Sequence, residues 1–350
     1  MTVREGLAIL KRATTQDRMG PSKARPGFFN KSQKLNRDIT ILFLRYAKPR
    51  RALDGFGGTG IRGIRYYLEA NVETVISERN KLSAEIIKDN IADLRGGVTF
   101  SNDSFEATLS HSLFDFIDVD PYGSPLQYFD QSIYSVKNNG YVAITATDLS
   151  ALTGSVPSKT FLRYDARVIN DIYRHETGIR VLIGSFVRRA ASLGREAIPQ
   201  LSIWYSHYYR VIFRIRNGTS LARKALDNIG YINKHKVIFN RYPSVEEGPL
   251  WLGNLFSRDF LSSIEIPDYL SDNVLLRKYV DRIKHEDTQL YFTDISELAK
   301  FRHISPPPVS HVIDILKTRG VSEVGRTTFS PTGIKSILNT AEIFDMLWNE

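Results

Sequence analysis

An aspartate that ends an apolar run and is followed by proline, tyrosine and glycine is where this sequence could do chemistry. The run is Phe114-Asp115-Phe116-Ile117-Asp118-Val119-Asp120, and Pro121-Tyr122-Gly123-Ser124-Pro125 follow it. A carboxylate there accepts N–H bonds from an exocyclic amine of a planar base. Such an amine is a poor nucleophile because its lone pair is delocalised into the ring. Accepting its N–H bonds draws the nitrogen toward tetrahedral geometry, and a carboxylate can take or relay the proton it sheds. Tyr122 offers a ring on which a base stacks, a contact of about 1–3 kcal/mol. Pro121 fixes one dihedral and stiffens the turn. Asp, Pro and Gly are also turn formers, so the surrounding chain must decide.

A second constellation precedes it. Asp54-Gly55-Phe56-Gly57-Gly58-Thr59-Gly60 lies between a short apolar run and a helical pattern. Gly55, Gly57 and Gly60 permit tight dihedrals and close approach to a ligand. The pattern also fits a dinucleotide site, with Glu78 near the spacing of a ribose-binding acid. Asp54 discriminates, because a carboxylate beside the loop repels a pyrophosphate but suits the ammonium and sulfonium charges of S-adenosyl-L-methionine. Glu78 is then placed for both ribose hydroxyls, and Asp103 and Ser104 for the adenine edge. Asp103 alone is equally a helix N-cap.

The elements that must hold these residues alternate as in a parallel α/β sheet. Strands are expected at Ala52–Asp54, Thr74–Ser77, Val98–Ser101, Phe114–Asp120 and Tyr141–Thr145. Helices are expected at Ile61–Ala70, Lys81–Leu94, Pro125–Lys137 and around Tyr164–Leu193. Gln200–Ser206 and Tyr209–Ile215 read as an antiparallel hairpin at the sheet edge. That layout is the class I, Rossmann-like methyltransferase sheet. After Asn217-Gly218-Thr219-Ser220 the pattern changes. Asp294 caps a helix through Leu298 and Phe301, a second helix spans Val309–Arg319, and Val321–Val324 with Thr327–Ser330 form a ribbon turning at Gly325-Arg326. This is a winged-helix-like outline within a smaller α+β domain, and such modules bind nucleic acid or serve as packing elements.

The 350 residues give ample length for a core, and no run reaches the roughly 18 apolar residues of a membrane span. The N-terminus lacks an apolar signal region. With no cysteine there is neither disulfide nor thiolate metal site. A cytoplasmic enzyme is the expectation. The net charge of +9 is uneven: residues 1–51 hold 13 Lys/Arg against 3 Asp/Glu, and the remainder is nearly balanced. A basic segment is either a solvated face or a partner for a phosphate backbone. Arg188-Arg189 carries the same two readings.

With these residues in place the chain resembles the tRNA (guanine-26-N2)-dimethyltransferase family in its archaeal form, over most of its length. The resemblance rests on Gly27-Phe28-Phe29-Asn30 with Gln33 and Asn36-Arg37-Asp38, and on Gly57 through Arg65. It also rests on Asp118 through Pro125, Thr145-Ala146-Thr147-Asp148, His175-Glu176 with Arg180, and Gly248-Pro249-Leu250-Trp251-Leu252-Gly253. It implies methyl transfer from S-adenosyl-L-methionine to the exocyclic N2 of a tRNA guanine, at position 26, giving mono- and dimethylated products. It further implies Asp120 as the catalytic residue, Phe28 and Tyr122 flanking the guanine, and Arg37 and Arg62 at the cofactor beside Gly55, Gly57, Glu78, Asp103 and Ser104. Many members carry four cysteines before the Gly-Pro-Leu-Trp segment, a zinc site. Here Tyr231 to Glu247 has none and is shortened, His235 is isolated, and no metal is expected.

The expected division is a basic N-terminal segment, 1–51, packed on a methyltransferase domain, 52–217, and a tRNA-binding accessory domain, 218–350. An amino-methyltransferase acting on another RNA or DNA base, an NAD(P)-dependent oxidoreductase, and a nucleic-acid-binding protein without activity are the rival readings.

Overall fold

The computed structural model describes residues 2–14, 26–94, 96–234 and 245–348. Seven strands form the central sheet: β1 (Arg51–Asp54), β2 (Glu73–Ser77), β3 (Val98–Ser101), β4 (Phe114–Val119), β5 (Val136–Ala146), β6 (Arg195–Tyr205) and β7 (Tyr208–Asn217). Their order is β3-β2-β1-β4-β5-β7-β6. The first five pair in parallel, and β7 and β6 close the sheet antiparallel. The chain starts in the middle at β1 and builds outward both ways, so β1 and β4 flank the switch point where such sheets bind ligands. Asp54 and Asp118 are register partners there. This is the class I methyltransferase topology expected from the sequence.

Seven helices matter for the site. They are α1 (Lys34–Ala47), α2 (Ile61–Ala70), α3 (Lys81–Ile91), α4 (Phe105–Leu109), α5 (Phe129–Ser135), α6 (Pro157–Tyr164) and α7 (Arg174–Ser192). Burying apolar side chains such as Ile179, Leu182, Ile183, Phe186 and Val187 of α7 against the sheet contributes about 1.5–3 kcal/mol per side chain.

Several boundaries move. The helix expected around Tyr164–Leu193 is two helices. Asp165 takes a left-handed backbone that ends α6, and the chain then bridges to Gly248 and Glu247 before α7 begins. The helix expected through Lys137 stops at Ser135, because β5 starts at Val136 and pairs with Phe114. Asp120 falls just past the end of β4 rather than inside it.

In the tail, Asp294 caps the helix Ile295–Arg302 by accepting from the amides of Ser296 and Glu297, and Val309–Thr318 follows. The ribbon is displaced from its expected place. Val324–Arg326 pairs with Gly333–Ser336, and the turn runs through Thr327–Thr332. Buried Glu286 is the reason: its carboxylate accepts from both threonine hydroxyls and from the Thr328 amide, drawing those residues out of the ladder. The large core runs without a break from Leu35 through Leu250, Trp251 and Phe260 to Phe329, whereas Ile295, Leu298, Val309, Val312 and Leu316 form a separate small core.

The N-terminal positive charge is partly spent inside the fold. Glu5 is on the hairpin strand Val3–Glu5. Burial alone pushes its carboxyl up, but the Arg37 and Arg65 guanidinium groups bring it down to about 2. Lys11 and Arg12 pair with Asp93 and Asp89, and Lys34 with Asp38. Residues 15–25 and His235 lie outside the described residues.

Candidate active site

The carboxyl ends of β1, β2, β3 and β4 open into a cleft of about 560 Å³. It gathers Phe28, Arg37, Gly55, Gly57, Arg62, Glu78, Asp103, Ser104, Asp120 and Tyr122, which the sequence scatters over nearly a hundred positions. Asp54 is the exception. It is 1% exposed, and its Oδ2 accepts the Gly63 amide at 2.9 Å, so it caps the first turn of α2 instead of facing a ligand. Burial raises its carboxyl to about 7, against the pull of Arg62 and the Gly63 amide.

The glycines divide their work. A Cβ on Gly55 would meet the Phe105 ring at 2.5 Å and the Asp118 carbonyl at 2.7 Å, and one on Gly57 would meet Ile76 at 2.5 Å. Those two serve close packing. Gly58, at φ +55, carries the left-handed turn, and its amide donates to Glu78 Oε2 at 2.9 Å. The other oxygen of Glu78 accepts from the Asn80 amide at 2.8 Å. Loop and acid are thus locked together at the end of β2. Ser104, not Asp103, is the N-cap of α4, accepting from the Ala107 amide. Asp103 Oδ2 takes the Ser101 hydroxyl at 2.6 Å.

An aromatic wall completes this half. Phe56 stacks on Phe105 with centroids 5.5 Å apart, and Tyr128 meets both edge-on at 4.9 and 5.4 Å. Sequence reasoning missed these three, although Phe56 sits within the glycine loop and Phe105 directly follows Ser104.

Asp118 and Asp120 leave β4 on one face, as alternation requires, yet their environments differ. Asp118 is fully buried. Arg210 donates to each of its oxygens at 2.6 Å, Tyr66 donates its hydroxyl, and Arg62 lies 3.6 Å away. Burial pushes its carboxyl up, but Arg210 and Arg62 together hold it below the usual range. Asp120 keeps 19% of its side chain exposed and takes one bond, from Arg62. Arg62 is fixed in turn by Asn36 Oδ1 at 3.0 Å. Asp118 is therefore saturated, and Asp120 is the carboxylate that remains able to accept from a ligand.

The turn after Asp120 is clamped. Gly123 sits at φ +84, its amide donates to Thr147 Oγ1 at 2.7 Å, and its carbonyl accepts the Thr147 amide at 3.0 Å. Tyr122, 64% exposed, stands at the rim. Phe28 also lines the cleft, on a segment held by bonds between Thr14 and residues 27 and 29. His207, from the tip of the β6–β7 hairpin, also lines the cleft. Nothing in the sequence singled it out.

Arg37 lines the cleft, and it commits Nε and one amino nitrogen to Glu5 at 2.6 Å each, the latter also donating to the Asn30 carbonyl at 3.0 Å. Glu176 and Arg180 are structural. Glu176 also accepts from Lys335 at 2.9 Å, while Arg180 donates to the Trp251 and Gly253 carbonyls, fastening α7 to the tail. Arg188 and Arg189 are paired with Asp165 and Asp130. Among the described residues, no group of three or more His, Asp or Glu side chains is arranged to hold a metal.

Comparison with known proteins follows the same lines. A family described as N2,N2-dimethylguanosine tRNA methyltransferase matches residues 10–348. A tRNA (guanine(26)-N(2))-dimethyltransferase from Thermoplasma volcanium is 45% identical over 347 residues, 99% of this chain and 98% of that protein. One from Saccharolobus solfataricus is 34% identical over 360 residues, covering 94% and 92%. Trm1 from Pyrococcus horikoshii, solved with S-adenosyl-L-methionine, superposes with a TM-score of 0.82 at 27% identity and 99% coverage of each chain.

Proposed function

The chain belongs to the N2,N2-dimethylguanosine tRNA methyltransferase family and is an S-adenosylmethionine-dependent tRNA (guanine-N2)-methyltransferase, and from that premise we propose that Asp120 accepts the guanine amine at position 26. The observation that carries this is the contrast at the end of β4: Asp118 has every oxygen engaged, whereas Asp120 faces the cleft with one.

The cleft fits the cofactor. Glu78 is held where a carboxylate accepts two ribose hydroxyls, Asp103 and Ser104 lie beside it, and Phe56, Phe105 and Tyr128 form an apolar wall for a planar ring. Arg37 has a guanidinium nitrogen left for a carboxylate. S-adenosyl-L-methionine, when bound, supplies the electrophilic methyl group.

The chain's own part is positioning and proton acceptance. Asp120, oriented by Arg62, accepts an N2–H bond, aims the nitrogen lone pair and takes the proton as the N–C bond forms. Tyr122 and Phe28 sandwich the ring. A paired guanine cannot reach them, so the base enters flipped or already splayed. The monomethylated amine retains one N–H for Asp120, so the same contact serves a second transfer. The dimethylated amine has none, and the reaction stops there.

The small core of residues 295–343 supports reading the end of the tail as a winged-helix-like module, although Ala225 to Phe292 share the main core, and we assign residues 218–350 to tRNA binding and 1–51 to a segment packed on the catalytic sheet. Its place of work is the cytoplasm, on the ground that its substrate is tRNA. Mass analysis of nucleosides from a tRNA transcript treated with the protein and labelled cofactor tests the reading. Labelled N2-methyl- and N2,N2-dimethylguanosine are expected. Label on another base, or none, defeats it.

A further inference from the structure

Helix α6 presents to solvent an apolar pair that folding of the chain alone does not use. Phe161 is 66% and Leu162 80% exposed, the two highest values among the exposed large hydrophobic side chains of the described residues. The opposite side of the helix is committed. Thr160 donates to the Ala151 carbonyl at 2.5 Å, and the Tyr164 hydroxyl donates to Asp148 at 2.8 Å and lies 3.2 Å from Ser124 Oγ. Ser124 directly follows the Asp-Pro-Tyr-Gly turn, so α6 is fastened to the loop that carries Asp120.

Cations interleave with the apolar pair. Lys159 is exposed on α6 itself, Arg163 is held by Asp148 at 3.1 Å, and Arg188 reaches over from α7. Arg188 donates to the Tyr164 carbonyl at 2.9 Å and to Asp165, whose side chain is 76% exposed, at 3.2 Å. A surface pair of that kind contributes little, and a phosphate oxygen can take the place of the carboxylate. Arg189 is committed to Asp130. A recess of about 470 Å³ between α6 and α7 is lined by Arg163, Arg188 and Gln127, and Gln127 also lines the cofactor cleft. The recess therefore adjoins the cofactor cleft at that residue.

We propose that this face grips the RNA strand on either side of the target guanine. Phe161 and Leu162 pack on base and sugar faces that extrusion of the guanine leaves unstacked, as apolar wedges do at unstacked steps. Lys159 and Arg188 meet the flanking phosphates, which fix register without reading sequence. The inference rests on the tRNA reading above.

The test uses the full chain with Lys159→Ala, Phe161→Ala and Leu162→Ala combined, all three exposed and on a helix that tolerates alanine. Direct tRNA binding and the KM for tRNA are measured, with cofactor affinity and thermal midpoint as controls. A tenfold or greater weakening toward tRNA is expected, with both controls unchanged. A second variant, Arg188→Gln, should flatten the slope of log K against log salt by about 0.7. Unchanged tRNA binding in both variants overturns the proposal. So does a shift of the triple variant from dimer to monomer in sedimentation with tRNA binding intact, which makes the patch a self-association surface. If wild type binds tRNA without methylating it and the triple variant loses binding, the functional reading falls and this one stands.

Discussion

Arg62, on the first turn of α2, donates to the carboxylate of Asp120 just beyond β4, and Asn36 fixes the same guanidinium from α1 at 3.0 Å. The bond orients Asp120 without closing it off, since its side chain stays 19% exposed. Two helices and a strand end are needed to set this one carboxylate.

Asp118 in β4 and Asp120 just beyond it should separate cleanly by mutation. Asp118→Asn strips the buried Arg210 of its charge partner and should cost about 3–5 kcal/mol of stability. Denaturant unfolding measures it. A variant as stable as wild type would show that Arg210 finds another partner and that the pair is not the anchor described.

The clamp on the catalytic turn is tested by Thr147→Val, which keeps volume and removes the acceptor of the Gly123 amide. The lost bond should cost about 1–2 kcal/mol, and turnover should fall at least tenfold with cofactor affinity retained. Turnover equal to wild type would mean that Pro121 and the left-handed Gly123 suffice to hold the turn.

Tyr122→Ala should weaken the base contact by about 1–3 kcal/mol, seen as a raised KM for tRNA. Tyr122→Phe should be close to wild type, because the ring and not the hydroxyl is used. The reverse ranking would assign the phenol a chemical role.

Asp54 makes stability depend on pH. Its folded carboxyl lies at about 7, above the ordinary value of 3.8, because burial disfavours the charged form. A raised carboxyl contributes stability that is full below about 4 and is lost as pH rises through 7. Converted at 1.36 kcal/mol per unit, the loss is of order 4 kcal/mol. In Asp54→Asn the amide oxygen can still accept from Gly63, so the decline between pH 5 and 8 should be smaller than in wild type. Parallel unfolding curves for the two proteins would contradict the assignment.

Much of this was legible in the chain. The apolar runs of β1, β2 and β4 are short, bounded by turn residues and almost wholly buried, so their order and the end of β4 could be read directly. The acids Glu78 and Asp120 followed from strand ends. Asp54 was misread because its partner, the Gly63 amide, becomes available only once α2 has formed over it. Phe56, Phe105, Tyr128 and His207 carry no spacing signal. They meet because the glycine loop, α4, the start of α5 and the β6–β7 hairpin converge on one rim. The tail ribbon was displaced by Glu286, a buried acid whose claim on Thr327 and Thr328 no local pattern announces. Arg37, Arg62 and Phe28 came from family resemblance, and the fold confirms only that they face the same cleft.

The central claim is that Asp120 accepts the amine proton, and single-turnover methyl transfer by Asp120→Asn tests it most directly. Asparagine keeps the shape and can still be held by Arg62, but cannot take a proton. Transfer should slow by about 10²–10⁴-fold while calorimetry finds cofactor affinity within a few-fold of wild type. Transfer at a rate comparable to wild type would show that the carboxylate does not do this work.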